Sequence, residues 1–183
     1  MLSPLILPDA LLPEDCDRLL AAVTPDRMRP AGLVGQVSDD RVRRAEVAWL
    51  DDLGDTGWIM DRMTALVARA NRDGFGFDIA ELSESAQVAR YDAADAAHFD
   101  WHADIGAGAL AARRKLTAVV QLSDPASYEG GRLEVRPDST VVGADTTRGT
   151  AIVFPSFVLH RVTPVTSGVR WSLTLWAHGP AFR

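Results

Sequence analysis

In His98-Phe99-Asp100-Trp101-His102-Ala103-Asp104 a histidine and an aspartate stand two positions apart. On a β-strand, positions i and i+2 face the same side, so His102 and Asp104 are expected to converge on one point. An imidazole and a carboxylate are two-thirds of the facial triad that holds non-heme Fe(II) and leaves coordination positions open. The third ligand has few sources, because the only histidines are His98, His102, His160 and His178. His160 ends the apolar run from Ile152 to Leu159, and Arg170 follows ten residues later, opening Arg170-Trp171-Ser172-Leu173-Thr174-Leu175-Trp176. A lone His-x-Asp is a weak signal. Joined to a distant strand-borne histidine and an arginine ten residues beyond, it points to a metal site.

Arg170, Ser172, Thr174 and Trp176 alternate with Trp171, Leu173 and Leu175, which separates a mostly polar face from an apolar one. If the polar face looks into a barrel, the arginine needs an anion there, because a buried unpaired charge is prohibitive. A dicarboxylate would supply one in the fork geometry that a guanidinium favours. Lys115 to Leu122 has the same period, placing Thr117, Val119 and Gln121 on one face, with Gln121 a candidate ligand contact. His98 reads as a loop-edge residue, and His178, beside Gly179 and Pro180, as an exposed bystander. Trp101, Trp171 and Trp176 read as core, Trp176 being the strongest exception. Tyr128-Glu129-Gly130-Gly131 reads as a tight connection whose glycines permit positive φ.

These residues need a scaffold, and the spacing predicts one. Pro13 in a first turn, followed by Glu14 and Asp15, opens a helix whose stripe is Leu12, Cys16, Leu19, Leu20 and Val23. Residues 31–42 are expected to be loop and Val47–Leu50 a strand. Asp55 is expected to cap a helix over 56–70, stopped by Asn71-Arg72-Asp73-Gly74. Beyond residue 85 the texture turns to short runs at 87–91, 98–104, 115–122, 132–136, 140–142, 151–154, 159–162 and 170–176. Eight such strands with Gly, Pro and Asp between them predict a mostly β fold with flanking helices (α+β), a jelly roll or cupin-like barrel. The expected organisation is one domain over 1–183, with helical support in 1–80 and the β core in 85–180.

Composition bounds the rest. The chain has 183 residues, 47% hydrophobic and 24% charged, with formal net charge −6. That balance offers no basic field for nucleic acid or an anionic membrane. A single cysteine, Cys16, excludes an intrachain disulfide and a thiolate zinc site. Met1 to Pro8 lacks the charged start of a secretion signal, so a cytoplasmic location is expected, with no membrane partner.

Arg90-Tyr91, Phe99-x-x-His102-x-Asp104, Gln121-Leu122-Ser123-Asp124-Pro125, Tyr128-Glu129-Gly130-Gly131, Phe154-Pro155-Ser156 and His160-Arg161-Val162-Thr163-Pro164-Val165 together resemble a known family. It is the Fe(II)- and 2-oxoglutarate-dependent oxygenases, in their prolyl-4-hydroxylase-like (PKHD-type) bacterial and phage branch. The resemblance covers roughly residues 85–180 and implies a double-stranded β-helix. It makes His102, Asp104 and His160 the iron ligands and Arg170 the residue that grips the distal carboxylate of 2-oxoglutarate. It places Tyr91, Thr117, Gln121 and Thr174 along the cosubstrate pocket. The implied cofactors are Fe(II), 2-oxoglutarate and O2, with ascorbate as a reductant. One departure is the missing glycine after Tyr91, replaced by Asp92-Ala93-Ala94-Asp95-Ala96.

The expected activity is hydroxylation of an unactivated C–H bond coupled to decarboxylation of 2-oxoglutarate. The resemblance favours a prolyl residue in a peptide or protein, followed by a free amino acid or small natural-product intermediate. A rival of another class is a non-enzymatic cupin-like protein that binds metal or a dicarboxylate.

Overall fold

The computed structural model describes residues 3–32, 39 and 41–182; most of the loop expected over 31–42 lies outside them. Strand β1 (Leu5–Leu7) precedes helix α1 (Pro13–Ala22), whose backbone start is capped by Asp15 accepting from the Leu12 N–H at 3.0 Å. Strands β2 (Arg29–Pro30), β3 (Arg43–Arg44) and β4 (Glu46–Trp49) lead into helix α2 (Gly57–Ala70). Thr56, not Asp55, occupies the cap position of α2, and its hydroxyl donates to the Leu50 carbonyl rather than to the helix. The helix runs on through a wider turn over Asn71–Phe75 and stops at Gly76 in the left-handed conformation.

The β core follows as β5 (Gln87–Asp92), β6 (His98–His102), β7 (Arg114–Gln121), β8 (Tyr128–Gly130), β9 (Leu133–Arg136), β10 (Val142–Gly143), β11 (Ala151–Pro155), β12 (Leu159–Val162) and β13 (Val165–His178). The larger sheet runs β1-β11-β7-β13-β5-β4-β2, with β8 paired to the start of β13. The smaller sheet runs β10-β9-β12-β6-β3. All these pairings are antiparallel, and the two sheets form a jelly roll. The two- and three-residue strands β1, β2, β3 and β8 were beyond periodic reading, because so few residues carry no measurable alternation.

Alternation along the central strands builds two cores. Leu116, Ala118 and Val120 of β7, with Leu173, Leu175 and Ala177 of β13, pack outward on Leu19 of α1 and Ile59, Met63 and Val67 of α2. Between the sheets lie Ala89, Val119, Leu133, Val135, Ile152, Phe154 and Val162. The helices therefore cover one face of the larger sheet, and its other face is left to line a cavity. Among the described residues no helix is long and apolar enough to cross a membrane.

One glycine ties the N-terminal segment to this core. Gly149 has φ +79, and a Cβ there would lie 2.0 Å from the Leu11 carbonyl oxygen. The Leu11 N–H in turn donates to the Gly149 carbonyl at 3.1 Å. Gly149→Ala is expected to cost about 2–3 kcal/mol of stability through left-handed strain and the backbone clash. The check is thermal unfolding, with a fall in Tm of roughly 4–12 °C for a chain of this size.

Candidate metal centre and its cavity

Strands β12 and β6 pair so that His160 lies directly opposite His102. One pair further the register slips, and Val162 faces Phe99, which leaves β6 with an extra residue. A bulge of this kind resets side-chain alternation. Phe99 therefore joins His102 on the inner face, its ring stacked on the imidazole with centroids 3.4 Å apart. His98 is turned away from the cavity and bonds the carbonyls of Ala96 and Arg41.

Strand β6 stops at His102, so Asp104 is not its in-strand neighbour, and strand parity is not what brings the two together. Asp104 reaches the site from the turn beyond. Its N–H donates to the Ser156 carbonyl at 2.8 Å, and the Ile105 N–H shares the same acceptor at 3.2 Å. The Thr117 hydroxyl donates to Oδ2 of Asp104 at 2.7 Å and meets Oγ of Ser156 at 3.0 Å. Ser156 thus anchors the Asp104 backbone and meets the Thr117 hydroxyl that holds its carboxylate, a role that its position in a short polar break did not signal.

One ligand atom from each of His102, Asp104 and His160 lies within 4.8 Å of the other two. Nε2 of His102 is 3.6 Å from Oδ1 of Asp104, and Nε2 of His160 is 3.4 Å from Oδ2. Nδ1 of His102 faces the Asp100 carbonyl at 2.7 Å, and Nδ1 of His160 faces that of Val158 at 3.0 Å. A carbonyl only accepts, so each proton sits on Nδ1 and each Nε2 lone pair is turned to the site. Burial and the neighbouring His160 press the His102 pKa down to about 3. Burial raises that of Asp104, but His160, His102 and the Thr117 hydroxyl outweigh it and hold the pKa at about 2. Neutral imidazole and ionised carboxylate are the metal-binding forms. Two imidazoles and one carboxylate on one side of a point suit divalent iron.

The triad stands in a cavity of about 530 Å³ whose far wall is the inner face of the larger sheet. Arg170, Ser172, Thr174 and Trp176 of β13 line it, with Tyr91 of β5 and Thr117 and Val119 of β7. Arg170 is 1% exposed. Its Nη2 donates to Oε1 of Gln121 at 2.9 Å, Nη1 reaches Oγ of Ser172 at 3.5 Å, and Nε has no partner among the described residues. The Tyr91 ring lies under the guanidinium at 5.4 Å. Burial lowers the Arg170 pKa, and no carboxylate ion-pairs with it among the described residues. Gly131, at φ +56, passes so close that a Cβ there would sit 3.0 Å from Cδ of Arg170. Gln121 accepts from Arg170 through Oε1 and so helps to orient the guanidinium.

Arg114 escaped the periodic reading. Along β7 and β13 the pairs run Trp176 with Thr117 and Ala177 with Leu116, then skip to His178 with Arg114. Lys115 is the extra residue, and the skip gives Arg114 the inward direction that parity assigns to its neighbour. Arg114 lines the cavity, stacks over Trp176 at 4.2 Å and donates from Nη1 to the Asp104 carbonyl at 3.0 Å. Glu84 grips its Nε at 2.6 Å and its Nη2 at 2.5 Å, and is held below the ordinary carboxylate range by Arg114 and His178 despite its burial. His178 is not exposed. It is fully buried, with Nε2 at 2.8 Å from Glu84 and Nδ1 accepting from the Ser83 N–H at 3.4 Å. His178→Ala is therefore expected to lower stability by about 2–4 kcal/mol, through a cavity and a lost charge-assisted bond. Iron stoichiometry should stay at one, because the ring touches no ligand; an unchanged denaturation midpoint would show the buried ring to be dispensable.

Of the other tryptophans, Trp176 lines the cavity, and its Nε1 is buried without a hydrogen-bond partner among the described residues. Trp171 packs at the edge of the outer core. Trp101 is not core: it is half-buried, with Arg136 and Arg161 each 4.8 Å from its ring. The segment that lacks the glycine after Tyr91 forms a single turn, in which Asp92 accepts from the Ala94 N–H at 2.8 Å and Ala96 takes φ 47.

The comparisons with known proteins agree with this geometry. The sequence profile of the 2OG-Fe(II) oxygenase superfamily matches residues 86–178. A PKHD-type hydroxylase of Azoarcus sp. (strain BH72) is 41% identical over 83 residues, 43% of this chain and 36% of that protein. One from Hyphomonas neptunium is 39% identical over 72 residues, 39% of this chain and 32% of that protein. The matched segment thus spans only about a third of the length of these curated relatives. Among solved structures, a Trichoplax adhaerens prolyl hydroxylase, in complex with a hypoxia inducible factor oxygen degradation domain peptide fragment, superposes with TM-score 0.80. It is 21% identical, over 97% of this chain and 84% of that chain. A Pseudomonas putida prolyl-4-hydroxylase gives TM-score 0.74 at 23% identity, over 97% and 93% of the two chains. With the profile over half the chain and the three ligands gathered inside its span, the chain belongs to the 2OG-Fe(II) oxygenase superfamily, whose cofactors are Fe(II), 2-oxoglutarate and O2.

Proposed function

We propose that this chain is a 2-oxoglutarate-dependent hydroxylase acting on a prolyl residue of a peptide or protein. The observation that carries the reading is a single cavity with two unlike ends. At one end His102, Asp104 and His160 gather three ligand atoms. At the other the buried Arg170 offers a guanidinium for which the described residues supply no carboxylate. A dicarboxylate spanning them would chelate the metal with its keto-acid head and present its distal carboxylate to Arg170. When bound, the iron and its cosubstrates would supply the oxidation: one atom of O2 would enter the keto acid as it loses CO2 to become succinate, and the other would go to the substrate hydroxyl.

The residues of the chain do the positioning. His102 and His160 hold Nε2 inward through their Nδ1–carbonyl bonds, Thr117 fixes one oxygen of Asp104, and Gln121 aims Arg170. Val119, Leu133 and Val162 give the lining an apolar stretch among its polar residues. For the substrate, support comes from the prolyl hydroxylases of the same fold and from the PKHD-type relatives.

The test is a succinate-release assay with Fe(II), O2 and 2-oxoglutarate against prolyl peptides, free proline and a panel of small metabolites. Succinate and hydroxyproline formed together, at one to one, would support the reading. Release with a metabolite alone would replace the substrate. Absence of release under every condition, with metal and 2-oxoglutarate shown to bind, would make the chain a binding protein.

A further inference from the structure

We propose that the substrate carries a carboxylate that docks on Arg43 at the mouth of the cavity, an inference that rests on the hydroxylase reading above. Four arginines line the cavity, Arg29, Arg43, Arg114 and Arg170, against one acid, Asp104. Two of the four are accounted for. Arg114 is neutralised from behind by Glu84. With divalent iron, Asp104, doubly charged 2-oxoglutarate and Arg170 in place, the charges at the inner end cancel. Arg29 and Arg43 remain in the lining, and the side-chain hydrogen bonds of Arg43 among the described residues go to neutral acceptors, the Gly32 carbonyl and Gln87.

Arg43 is the better placed of the two. It pairs with Phe99 across β3 and β6, and its guanidinium lies over the Phe99 ring at 4.6 Å. Phe99 in turn stacks on the ligand His102. The charge therefore sits two stacked rings from the metal position, half-buried on the edge strand of the smaller sheet. Its donors are only partly used: Nη2 bonds Oε1 of Gln87 at 2.7 Å, Nη1 the Gly32 carbonyl at 2.9 Å, and Nε is buried with no partner among the described residues. Both acceptors are neutral, so among the described residues no hydrogen-bonded partner offsets the positive charge, and Glu46, Asp92 and Asp95 line the adjoining cavity without ion-pairing to it. A guanidinium already fixed by two bonds and a ring face is pre-organised for a carboxylate. The same surplus disfavours a cationic substrate, because no free acid in the lining would receive an ammonium. The carboxylate has two possible sources on a prolyl substrate: the terminus of a C-terminal proline, or the side chain of an acidic residue next to it.

The experiment uses the protein loaded with 2-oxoglutarate and Mn(II), a redox-silent stand-in for iron, and reads binding by calorimetry. Two matched pairs separate the sources. N-acetylproline against N-acetylprolinamide probes the terminus, and acetyl-Pro-Asp-amide against acetyl-Pro-Asn-amide probes the side chain. In at least one pair the acid should bind wild type about tenfold tighter than its neutral partner, the value of one charge-assisted fork at a half-buried site. Arg43→Gln should bring that pair within about twofold while 2-oxoglutarate affinity holds, and Arg43→Lys should keep part of the preference. Equal binding within both pairs by wild type, or no binding at all, overturns the proposal whether or not the variants fold. A preference that survives in Arg43→Gln, or acid and amide weakened alike, also overturns it and leaves Arg43 a clip between Gly32 and Gln87. Hydroxyproline formation is scored separately with Fe(II). Acid-selective binding without hydroxylation would remove the prolyl reading and leave the carboxylate contact standing.

Discussion

Arg170→Ala is expected to weaken 2-oxoglutarate binding by roughly 10- to 150-fold or more, the range for lost hydrogen bonds to a charged group. The expectation follows from burial and accounting together. A guanidinium 1% exposed cannot be solvated by bulk water, and its observed partners, Gln121 and Ser172, are neutral. Among the described residues no anion balances its charge, so a ligand is expected to bring one. Fe(II) affinity should change by less than about twofold, because Arg170 coordinates nothing. Pyruvate, with the same keto-acid head and no distal carboxylate, should bind wild type poorly and lose little more in the variant. Calorimetry on the Mn(II)-loaded protein reads the two keto-acid affinities, and an anaerobic Fe(II) titration of the metal-free protein reads the third quantity. Equal 2-oxoglutarate affinity in wild type and Arg170→Ala would take away the strongest reason for naming that cosubstrate.

How much of this was legible in the sequence depended on whether register was continuous. Along β13 the alternation from Arg170 to Trp176 runs unbroken against β5, so parity placed Arg170, Ser172, Thr174 and Trp176 on the cavity side. The same held for Thr117 and Val119 of β7. Where a bulge intervenes, parity misleads. The extra residue in β6 sends Phe99 inward and His98 outward, and the one at Lys115 turns Arg114 into the cavity. No composition or spacing marks either bulge, because both arise from pairing with a partner strand far away in sequence. Asp104 was read into the strand and lies just past its end, held by Ser156. That His102, Asp104 and His160 gather in one place was recoverable, since a chain with four histidines leaves few combinations.

Contacts between distant segments were the other loss. His178 looked exposed among small residues near the C-terminus, yet Glu84 meets it across a separation of 94 positions. Gln121 was expected to face a ligand, and the bond that Arg170 makes to its carbonyl oxygen was not foreseen. Arg43 sits on a two-residue edge strand, too short to show any alternation. Polar side chains on an inward face are thus foreseeable, while the choice between touching a ligand and orienting a neighbour is made by tertiary packing.

The iron ligands carry the larger expected effect. Removing one imidazole from a three-residue set leaves two protein donors and opens the site to water, so His160→Ala should lose stoichiometric Fe(II) binding at micromolar metal. The loss should be specific. His160 is buried at the small-sheet end of the cavity, its Nδ1 bonded locally to Val158, and Gln121 and Arg170 are left as they were. His98→Ala is the matched control, because that ring faces away from the cavity and bonds only backbone carbonyls.

The most direct measurement is an anaerobic titration of Fe(II) into the 2-oxoglutarate-saturated protein, following the iron-to-keto-acid charge-transfer absorbance. That band requires iron held by the protein and the keto acid chelated to the same ion. Wild type and His98→Ala should develop it to an end point of one iron per chain, and His160→Ala should not develop it. No band in wild type, or an equal band in His160→Ala, would contradict the assignment of His102, Asp104 and His160 as the iron site.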